Sequence, residues 1–324
     1  MSRVFERVAI LGLGLLGGSV ALAARKAGIA RHLVGSARRK GPLAAALARG
    51  LVDETGDIAT AVAGADLVVL AAPVGAMESI LAEAAPHLGA ETLVTDVGSV
   101  KGLLADRLPG ILPEGVHYVG AHPMAGSHER GSDHAVEDLF VGSPCVVAPL
   151  RSVPPRAVEE VADFWRALGA GVVVRDPDEH DAEVAWISHA PHVLAFAYAR
   201  ILEDAPAAAG ALAGSGFRDF IRIARSDPGM WSDILNSNRK ALASPLRAFG
   251  RSLAQLAGAI EDGDIEAQEA FLARAQAALA GMTRDASDPQ ADAGSREDVR
   301  SGDDNPEIQA DQESAYPRRV KENQ

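Results

Sequence analysis

The chain has 324 residues, 48% of them hydrophobic and 23% charged, and its formal net charge is −13. This composition is typical of a two-domain globular protein, and the acidic balance argues against a nucleic-acid binder or a protein of anionic membrane surfaces. Cys145 is the single cysteine, which excludes an intrachain disulfide and predicts a reducing, cytoplasmic setting.

The first half of the sequence alternates short β-type runs with alanine-rich helical stretches. Its amino terminus leads directly into an apolar run broken by glycines, which predicts neither a signal peptide nor a membrane-spanning helix. Strands are predicted over 7–14, 32–37, 65–73, 91–99, 116–123, 143–150 and 169–176, and helices over 16–28, 41–50, 76–88 and 155–168. This alternation predicts an α/β fold, a Rossmann-type doubly wound sheet forming a dinucleotide-binding domain over residues 1–176.

The second half has no strand pattern. Long alanine- and leucine-rich segments over 178–204, 206–225 and 228–282 predict an all-helical domain over 177–282 that binds substrate and forms a homodimer. Residues 283–324 are polar, acidic and nearly without aliphatic side chains, so we predict a disordered tail there.

The string GLGLLG follows the first predicted strand and opens a helix. In that context its glycines allow a tight turn, close approach of a pyrophosphate, and close packing of helix on strand. Ligands of such folds lie outside the carboxyl ends of the strands. We therefore predict a cofactor site made by Gly12, Gly14, Leu15, Leu16, Gly17, Ser36, Arg38, Arg39, Ala72, Pro73 and Asp96.

The end of the second predicted strand bears on the choice of cofactor. Ala37 stands where NAD-binding proteins carry an acid for the ribose hydroxyls, and Arg38, Arg39 and Lys40 follow it. Ser36 and these cations favour NADP over NAD, because they could hold a 2′-phosphate. The alternative is a solvated basic loop.

The string TDVGSVK, residues 95–101, closes a predicted strand and starts a helix. Asp96 and Ser99 therefore lie at the ligand edge of the sheet, where Ser99 either caps the helix or contacts a ligand. Lys101 is expected in solvent. His122 follows the next strand directly before a proline, so it is expected on extended backbone at the same edge. A packed core histidine and a metal ligand are the alternatives, but this position favours a catalytic base.

The string DPDEHDAEVAWISHAPH, residues 176–192, opens the predicted helical domain with Asp178 as its cap. His189 and His192 share a helical face, and Pro191 deprives the carbonyl of Ile187 of its hydrogen bond. A kink carrying these histidines and Ser188 indicates a polar pocket. Zinc is the rival interpretation, but no third ligand stands at a suitable spacing, so we predict no metal.

Arg218 and Arg222 lie four residues apart in the string GSGFRDFIRIARSDPGMWSDI. Their shared helical face indicates either a carboxylate-binding site or a solvated, ion-paired surface.

Several of these strings, with GAHPMAGS around His122, occur in an order that resembles the prephenate/arogenate dehydrogenase family of tyrosine biosynthesis over residues 7 to about 280. The resemblance implies NAD(P)-dependent oxidative decarboxylation, with hydride transfer to the nicotinamide and loss of the ring carboxylate as CO2. It implies that His122 accepts the proton of the ring hydroxyl, that Ser99 orients His122, and that Arg222 binds a substrate carboxylate.

The same resemblance assigns Ser188, His189 and His192 to the pocket wall and Arg218 to its mouth. Ile221 departs from the family pattern, since a small polar residue is frequent there. The resemblance favours prephenate as substrate through His192, while GSARR and SGFRD are similar to arogenate-using, NADP-dependent members, so arogenate or dual use stays open.

Two other classes of function fit part of the pattern. A β-hydroxyacid dehydrogenase would need a catalytic lysine in the helical domain, where Lys240 is the only lysine and lies beyond the arginine string. A non-enzymatic dinucleotide sensor would keep the glycine loop without needing His122.

Overall fold

The computed structural model describes residues 3–126, 129 and 131–285. Eight strands form a sheet in the order β3-β2-β1-β4-β5-β6-β7-β8. They are β1 (Phe5–Leu11), β2 (Ala30–Ser36), β3 (Glu54–Thr55), β4 (Leu67–Leu70), β5 (Leu93–Asp96), β6 (His117–Pro123), β7 (Pro144–Pro149) and β8 (Gly171–Val174). Strands β1 to β6 are parallel, whereas β7 is antiparallel to β6 and parallel to β8. The predicted Rossmann-type doubly wound sheet is confirmed.

Helices cover both faces of this sheet, which explains its continuous apolar strands. Val8 and Ile10 of β1 belong to one buried cluster, and Ala9 and Leu11 belong to the cluster on the other face. The first cluster is completed by α1 (Leu15–Ala27) and α6 (Pro155–Ala167), and the second by α3 (Ile58–Val62), α4 (Val74–Ala84) and α5 (Gly102–Arg107). A short helix, α2 (Lys40–Ala48), follows β2.

The rest of the described chain is helical, as predicted, but more divided. It contains α7 (Pro177–Val184), α8 (Ala190–Ile201), α9 (Ser215–Arg222), α10 (Pro228–Ser237), α11 (Arg239–Glu261) and α12 (Ile265–Asp285). The helices are shorter than the alanine- and leucine-rich segments in which they lie. Pro228 takes the first position of α10, which suits its missing N–H, and Gly263, at a φ of +67°, ends the run that precedes α12.

The described residues fall into two compact units, divided between Ser252 and Leu253. The predicted boundaries at residues 176 and 282 stay predictions. Of the predicted tail 283–324, residues 283–285 end α12, and residues 286–324 lie outside the described part of the chain. None of the described helices is both long and apolar enough to cross a membrane.

The start of the helical region differs from expectation in two details. Asp176, not Asp178, caps α7, because Pro177 takes the first helical position and the Asp176 carboxylate accepts from the main-chain N–H of Asp178 at 3.0 Å. The disturbance expected from Pro191 takes the form of a π-helical turn, Ala185–His189, between α7 and α8.

Lys101 was expected in solvent, but its side chain is only 1% exposed and pairs with the fully buried carboxylate of Asp96. Its ammonium also donates to the carbonyl of Ala121 at 2.7 Å. The pair joins the end of β5 to β6 immediately before His122. Burial lowers the pKa of Lys101, an effect that the charge of Asp96 opposes.

Removing one member of this pair is expected to destabilise the protein strongly. Lys101→Met leaves a buried carboxylate without its cation, which typically costs about 3–5 kcal/mol. Arg107→Met is the matched control on the same helix, because it breaks an exposed ion pair with Glu78. Urea unfolding at pH 7 should show a much larger loss for Lys101→Met, and equal losses for the two variants would contradict the buried pairing.

Candidate active site

The glycine loop between β1 and α1 has the shape of a phosphate cradle. Gly12 has a φ of +120°, and a Cβ there would lie 2.3 Å from the carbonyl oxygen of Ala71. A Cβ at Gly17 would lie 1.9 Å from the carbonyl oxygen of Gly12. At Gly14, by contrast, a Cβ would meet no atom within 4 Å, and no side chain caps the helix that begins after it. The loop is closed on the protein side and open where a pyrophosphate would meet free N–H groups.

The other predicted cofactor residues of this edge surround the loop. Leu15 and Leu16 begin α1, and Ala72 and Pro73 follow β4, where Pro73 precedes the first residue of α4. The N–H of Gly12 donates to the carbonyl of Ser36 at 2.8 Å, which ties the loop to the end of β2. These residues therefore fit a bound dinucleotide.

Two arginines follow β2 with their side chains in solvent. Arg38 and Arg39 are exposed, and within the described part of the chain neither makes an ion pair or a side-chain hydrogen bond. Ser36 is 5% exposed, and Ala37 offers no carboxylate. The end of β2 thus presents uncompensated positive charge.

Asp96 does not fit the predicted contact with the cofactor. Its carboxylate is fully buried and accepts from the hydroxyl of Tyr118 at 2.9 Å, from the N–H groups of Ala121 and Gly98 at 3.0 and 2.8 Å, and from Lys101. Because protein donors occupy both oxygens, Asp96 holds the ends of β5 and β6 together. We therefore correct its assignment from cofactor contact to structural support.

His122 lies in β6, as extended backbone, and is 8% exposed. Its Nδ1 is 2.8 Å from Nε2 of His180, and Nδ1 of His180 is 2.9 Å from a carboxylate oxygen of Asp181. A carboxylate only accepts hydrogen bonds, so His180 presents a proton on Nδ1 to Asp181, and its Nε2 accepts from the N–H on Nδ1 of His122. His122 is thereby left with a lone pair on Nε2, the tautomer that a base requires.

Burial, the neighbouring His180 and the charge of Lys101 all lower the pKa of His122 well below its ordinary value. The ring is therefore neutral near pH 7. The two hydrogen bonds and burial place a neutral, oriented imidazole at the carboxyl edge of the sheet, where ligands of doubly wound folds bind.

Ser99 is half-buried in the loop between β5 and α5, and it is not the cap of that helix. The carboxylate of Asp181 takes that place, accepting from the main-chain N–H groups of Lys101 at 2.7 Å and Gly102 at 2.9 Å. The contact that orients His122 in the described structure comes from His180, and the orienting role implied for Ser99 stays a prediction.

The π-helical turn brings two predicted histidines to one indole ring. His192 stacks on Trp231 at 4.0 Å between ring centroids, and its Nδ1 lies 2.9 Å from the carbonyl of Ser188. His189 is fully buried and meets the edge of Trp231 at 5.9 Å. Burial lowers the pKa of His189 to about 4 and also lowers that of His192. The two rings are therefore neutral near pH 7 and lie against the same indole ring.

The two predicted arginines of α9 differ in their surroundings. The charge of Arg222 acts on His192 and depresses its pKa, so Arg222 lies near the pocket wall. Arg218 donates to the carbonyl of Ala213 at 2.7 Å and is exposed. The structure therefore places Arg222 within electrostatic range of His192, and within the described residues no such interaction joins Arg218 to the histidines.

Four residues of this site were missed as functional candidates: His180, Asp181, Trp231 and Asn238. The pair His180–Asp181 was considered only as metal ligands and set aside for its distance along the helix. No group of three or more histidine, cysteine or acidic side chains within the described residues is placed to hold a metal ion.

Most of the described chain matches the models of known protein domains. Residues 20–174 match the model of the prephenate dehydrogenase nucleotide-binding domain, and residues 176–274 match the prephenate dehydrogenase dimerization domain. The prephenate dehydrogenase of Bacillus subtilis is 34% identical over 272 residues, covering 82% of this chain and 73% of that protein. The cyclohexadienyl dehydrogenase of Zymomonas mobilis is 34% identical over 285 residues, covering 83% and 96%.

Solved structures show the same similarity. Prephenate dehydrogenase from Aquifex aeolicus, in complex with hydroxyphenyl propionate and NAD+, superposes with a TM-score of 0.80 at 29% identity, covering 87% of this chain and all of that one. Synechocystis arogenate dehydrogenase superposes with a TM-score of 0.72 at 29% identity, covering 85% and 99%.

The buried neutral histidines predict a specific loss of stability in acid. The pKa of His189 is about 4 in the folded protein against 6.5 for an ordinary histidine. Between these values the unfolded chain binds a proton that the folded chain does not, so stability falls as the pH falls from about 6.5 toward about 4.

Melting temperatures measured across that range should therefore decline, and His189→Gln should decline less steeply than wild type. His87→Gln replaces an exposed histidine and should leave the slope unchanged. An unaltered slope in His189→Gln would show that His189 does not contribute to it.

Proposed function

The chain belongs to the prephenate dehydrogenase family, and from that premise we propose that it oxidatively decarboxylates prephenate to 4-hydroxyphenylpyruvate with His122 as its base. The observation that carries the assignment of the base is the chain of hydrogen bonds from Asp181 through His180 to Nδ1 of His122. It leaves the lone pair of Nε2 free at the ligand edge of the sheet.

The proposed reaction moves a hydride and a proton and releases CO2. A bound nicotinamide accepts the hydride of the ring carbinol carbon. Nε2 of His122 takes the hydroxyl proton as the C–O bond gains double-bond character. The bond to the ring carboxylate then breaks, CO2 leaves, and its electron pair completes the aromatic ring and restores the C–O single bond. The oxygen takes the proton back from His122, which gives the phenol of 4-hydroxyphenylpyruvate. His180 shares the new charge on His122, because Asp181 holds the opposite side of the His180 ring.

The substrate is a dianion, and we assign Arg222 to one of its carboxylates. Its guanidinium is exposed and near His192, in a protein whose net charge is −13. A local positive charge is therefore needed to draw the substrate in. Ser188, His189 and His192 form the wall beside it, and Ser99 contacts the reacting hydroxyl. Arg218, bound to a main-chain carbonyl, serves the mouth of the pocket.

Prephenate is the preferred substrate in this proposal, and arogenate is the alternative. The Bacillus relative is a prephenate dehydrogenase, whereas the Zymomonas relative is a cyclohexadienyl dehydrogenase and the Synechocystis structure an arogenate dehydrogenase. The two substrates differ only in a side-chain carbonyl or amino group. Dual use is the second candidate, and it is supported by the Zymomonas relative, 96% of which is covered.

NADP is the cofactor that we propose over NAD. Arg38 and Arg39 stand exposed and unpaired among the described residues at the end of β2, next to Ser36 and in the absence of an acid at Ala37. An NAD-binding site of this fold uses that acid to hold the ribose hydroxyls. A 2′-phosphate would instead neutralise the two guanidinium groups.

A homodimer through the helical half is part of the same proposal. The match to a dimerization domain covers residues 176–274. Large apolar side chains on these helices are exposed, among them Tyr198, Ile201, Phe220 and Leu272. Exposed apolar surface of this kind is typical of an interface between subunits.

One set of assays tests the proposed oxidation of prephenate and the role of His122 as its base. Wild-type protein should reduce NADP+ with prephenate, and arogenate is assayed in parallel; the absence of reduction with both would contradict the function. His122→Asn should lower kcat by roughly 10²- to 10⁴-fold, the usual contribution of a general base, with little change in cofactor KM.

A matched pair of variants tests the role of His180. His180→Gln keeps an acceptor for Nδ1 of His122, whereas His180→Phe removes it. We expect kcat to fall much further in His180→Phe. Similar kcat values for the two variants would show that the hydrogen bond does not orient the base.

The cofactor assignment has its own test. Replacing Arg38 and Arg39 by alanine should raise KM for NADP+ by about 10- to 100-fold through lost charge-assisted hydrogen bonds, while KM for NAD+ changes little. Arg31→Ala is the control, because it removes one exposed arginine at the opposite end of β2. Equal effects on both cofactors would mean that the loop is only solvated.

A further inference from the structure

Asn238, between α10 and α11, is 4% exposed and makes two polar contacts through one atom. Its amide nitrogen lies 2.8 Å from the main-chain carbonyl oxygen of Asp181 and 3.0 Å from Nδ1 of His189. A carbonyl oxygen only accepts hydrogen bonds, so the nitrogen of the amide must face it. The opposite orientation would bring two oxygens together, and the main chain therefore fixes the orientation of this amide.

The fixed amide determines which nitrogen of His189 carries the proton. The NH2 group of Asn238 has two hydrogens, one directed at Asp181 and the other at Nδ1 of His189. Nδ1 must then hold its lone pair, and a neutral ring carries its proton on Nε2. The pKa of about 4 keeps the ring neutral near pH 7.

The N–H group on Nε2 of His189 is buried and has no hydrogen-bond partner within the described residues. A buried donor without a partner destabilises the folded protein and calls for a functional reason. The ring meets the edge of Trp231, a main-chain group of Ser99 lies near enough to raise its pKa, and the ring is close enough to His122 to lower the pKa of that histidine. The buried donor therefore lies in the same cluster of side chains as His122.

We propose that Asn238 is a positioning residue that fixes His189 as a hydrogen-bond donor to an oxygen atom of the bound substrate. The inference rests on the proposed function and adds a division of roles to it. His122 presents a lone pair on Nε2, and His189 presents a proton on Nε2. Asp181 sets both tautomers, through its carboxylate and His180 in one case and through its carbonyl and Asn238 in the other.

A double-mutant cycle separates this role from a merely structural one. Asn238→Asp is isosteric but can only accept, so it drives the proton of His189 onto Nδ1. His189→Gln places an amide donor at the position of Nε2. We expect Asn238→Asp to lower kcat/KM for prephenate by about 10- to 100-fold in the wild-type background, the size of a charge-assisted or fully buried hydrogen bond. In the His189→Gln background it should cost only a few-fold.

Asn236→Asp, an exposed substitution two residues away, introduces the same charge and should leave kcat/KM unchanged. A loss from Asn238→Asp that is equal in both backgrounds would overturn the proposal, because it would show a structural effect without coupling to His189.

The tautomer is also measurable in the free enzyme, without substrate or cofactor. Nitrogen-15 spectra of histidine-labelled protein at pH 7 should show Nδ1 of His189 unprotonated and Nε2 protonated, with the signals assigned by their loss in His189→Gln. In Asn238→Asp, Nδ1 should acquire a proton. Protonated Nδ1 in wild type would overturn the inference even if the enzyme oxidises prephenate. Inactivity with both substrates alongside the expected tautomer would instead refute the proposed function.

Discussion

The carboxylate of Asp181 is the contact on which the site depends. It accepts from the first N–H groups of α5, which follow Ser99, and from Nδ1 of His180, which contacts His122. The carbonyl of the same residue holds Asn238. A single residue of α7 thereby connects the ligand edge of the sheet to the helices that complete the pocket. Its displacement would release the helix start and the orientation of two histidines together.

Burial gives the pocket its chemical character. Removing His122, His189 and His192 from water lowers their pKa values, so that each ring is neutral near pH 7 and can be either a donor or an acceptor at a given nitrogen. Which of the two it becomes is decided by the partner of the other nitrogen. In the proposed reaction this arrangement separates the base from the groups that bind the substrate, while the permanent positive charge is supplied by Arg222.

The support beneath His122 is a second buried arrangement. The carboxylate of Asp96 accepts hydrogen bonds from Lys101, from Tyr118 and from two main-chain N–H groups at the ends of β5 and β6. The strand that carries His122 therefore cannot shift without breaking a desolvated ion pair. The glycine loop after β1 is also held in place, because Gly12 and Gly17 pack directly against main-chain carbonyl groups. Cofactor loop and base are therefore held at one edge by the sheet itself.

By itself, the sequence determined the doubly wound sheet, the helical second half and the family, because the periodicity of apolar residues and the short motifs are local properties of the chain. It also singled out His122, His189 and Arg222 as candidate site residues, and their roles stay predictions. It did not determine the burial of Lys101, the internal role of Asp96, or the partnership of His122 with His180, 58 residues away along the chain. Only the tertiary structure decided these, since a hydrogen bond between distant residues, and the desolvation that sets a pKa, depend on which elements pack together.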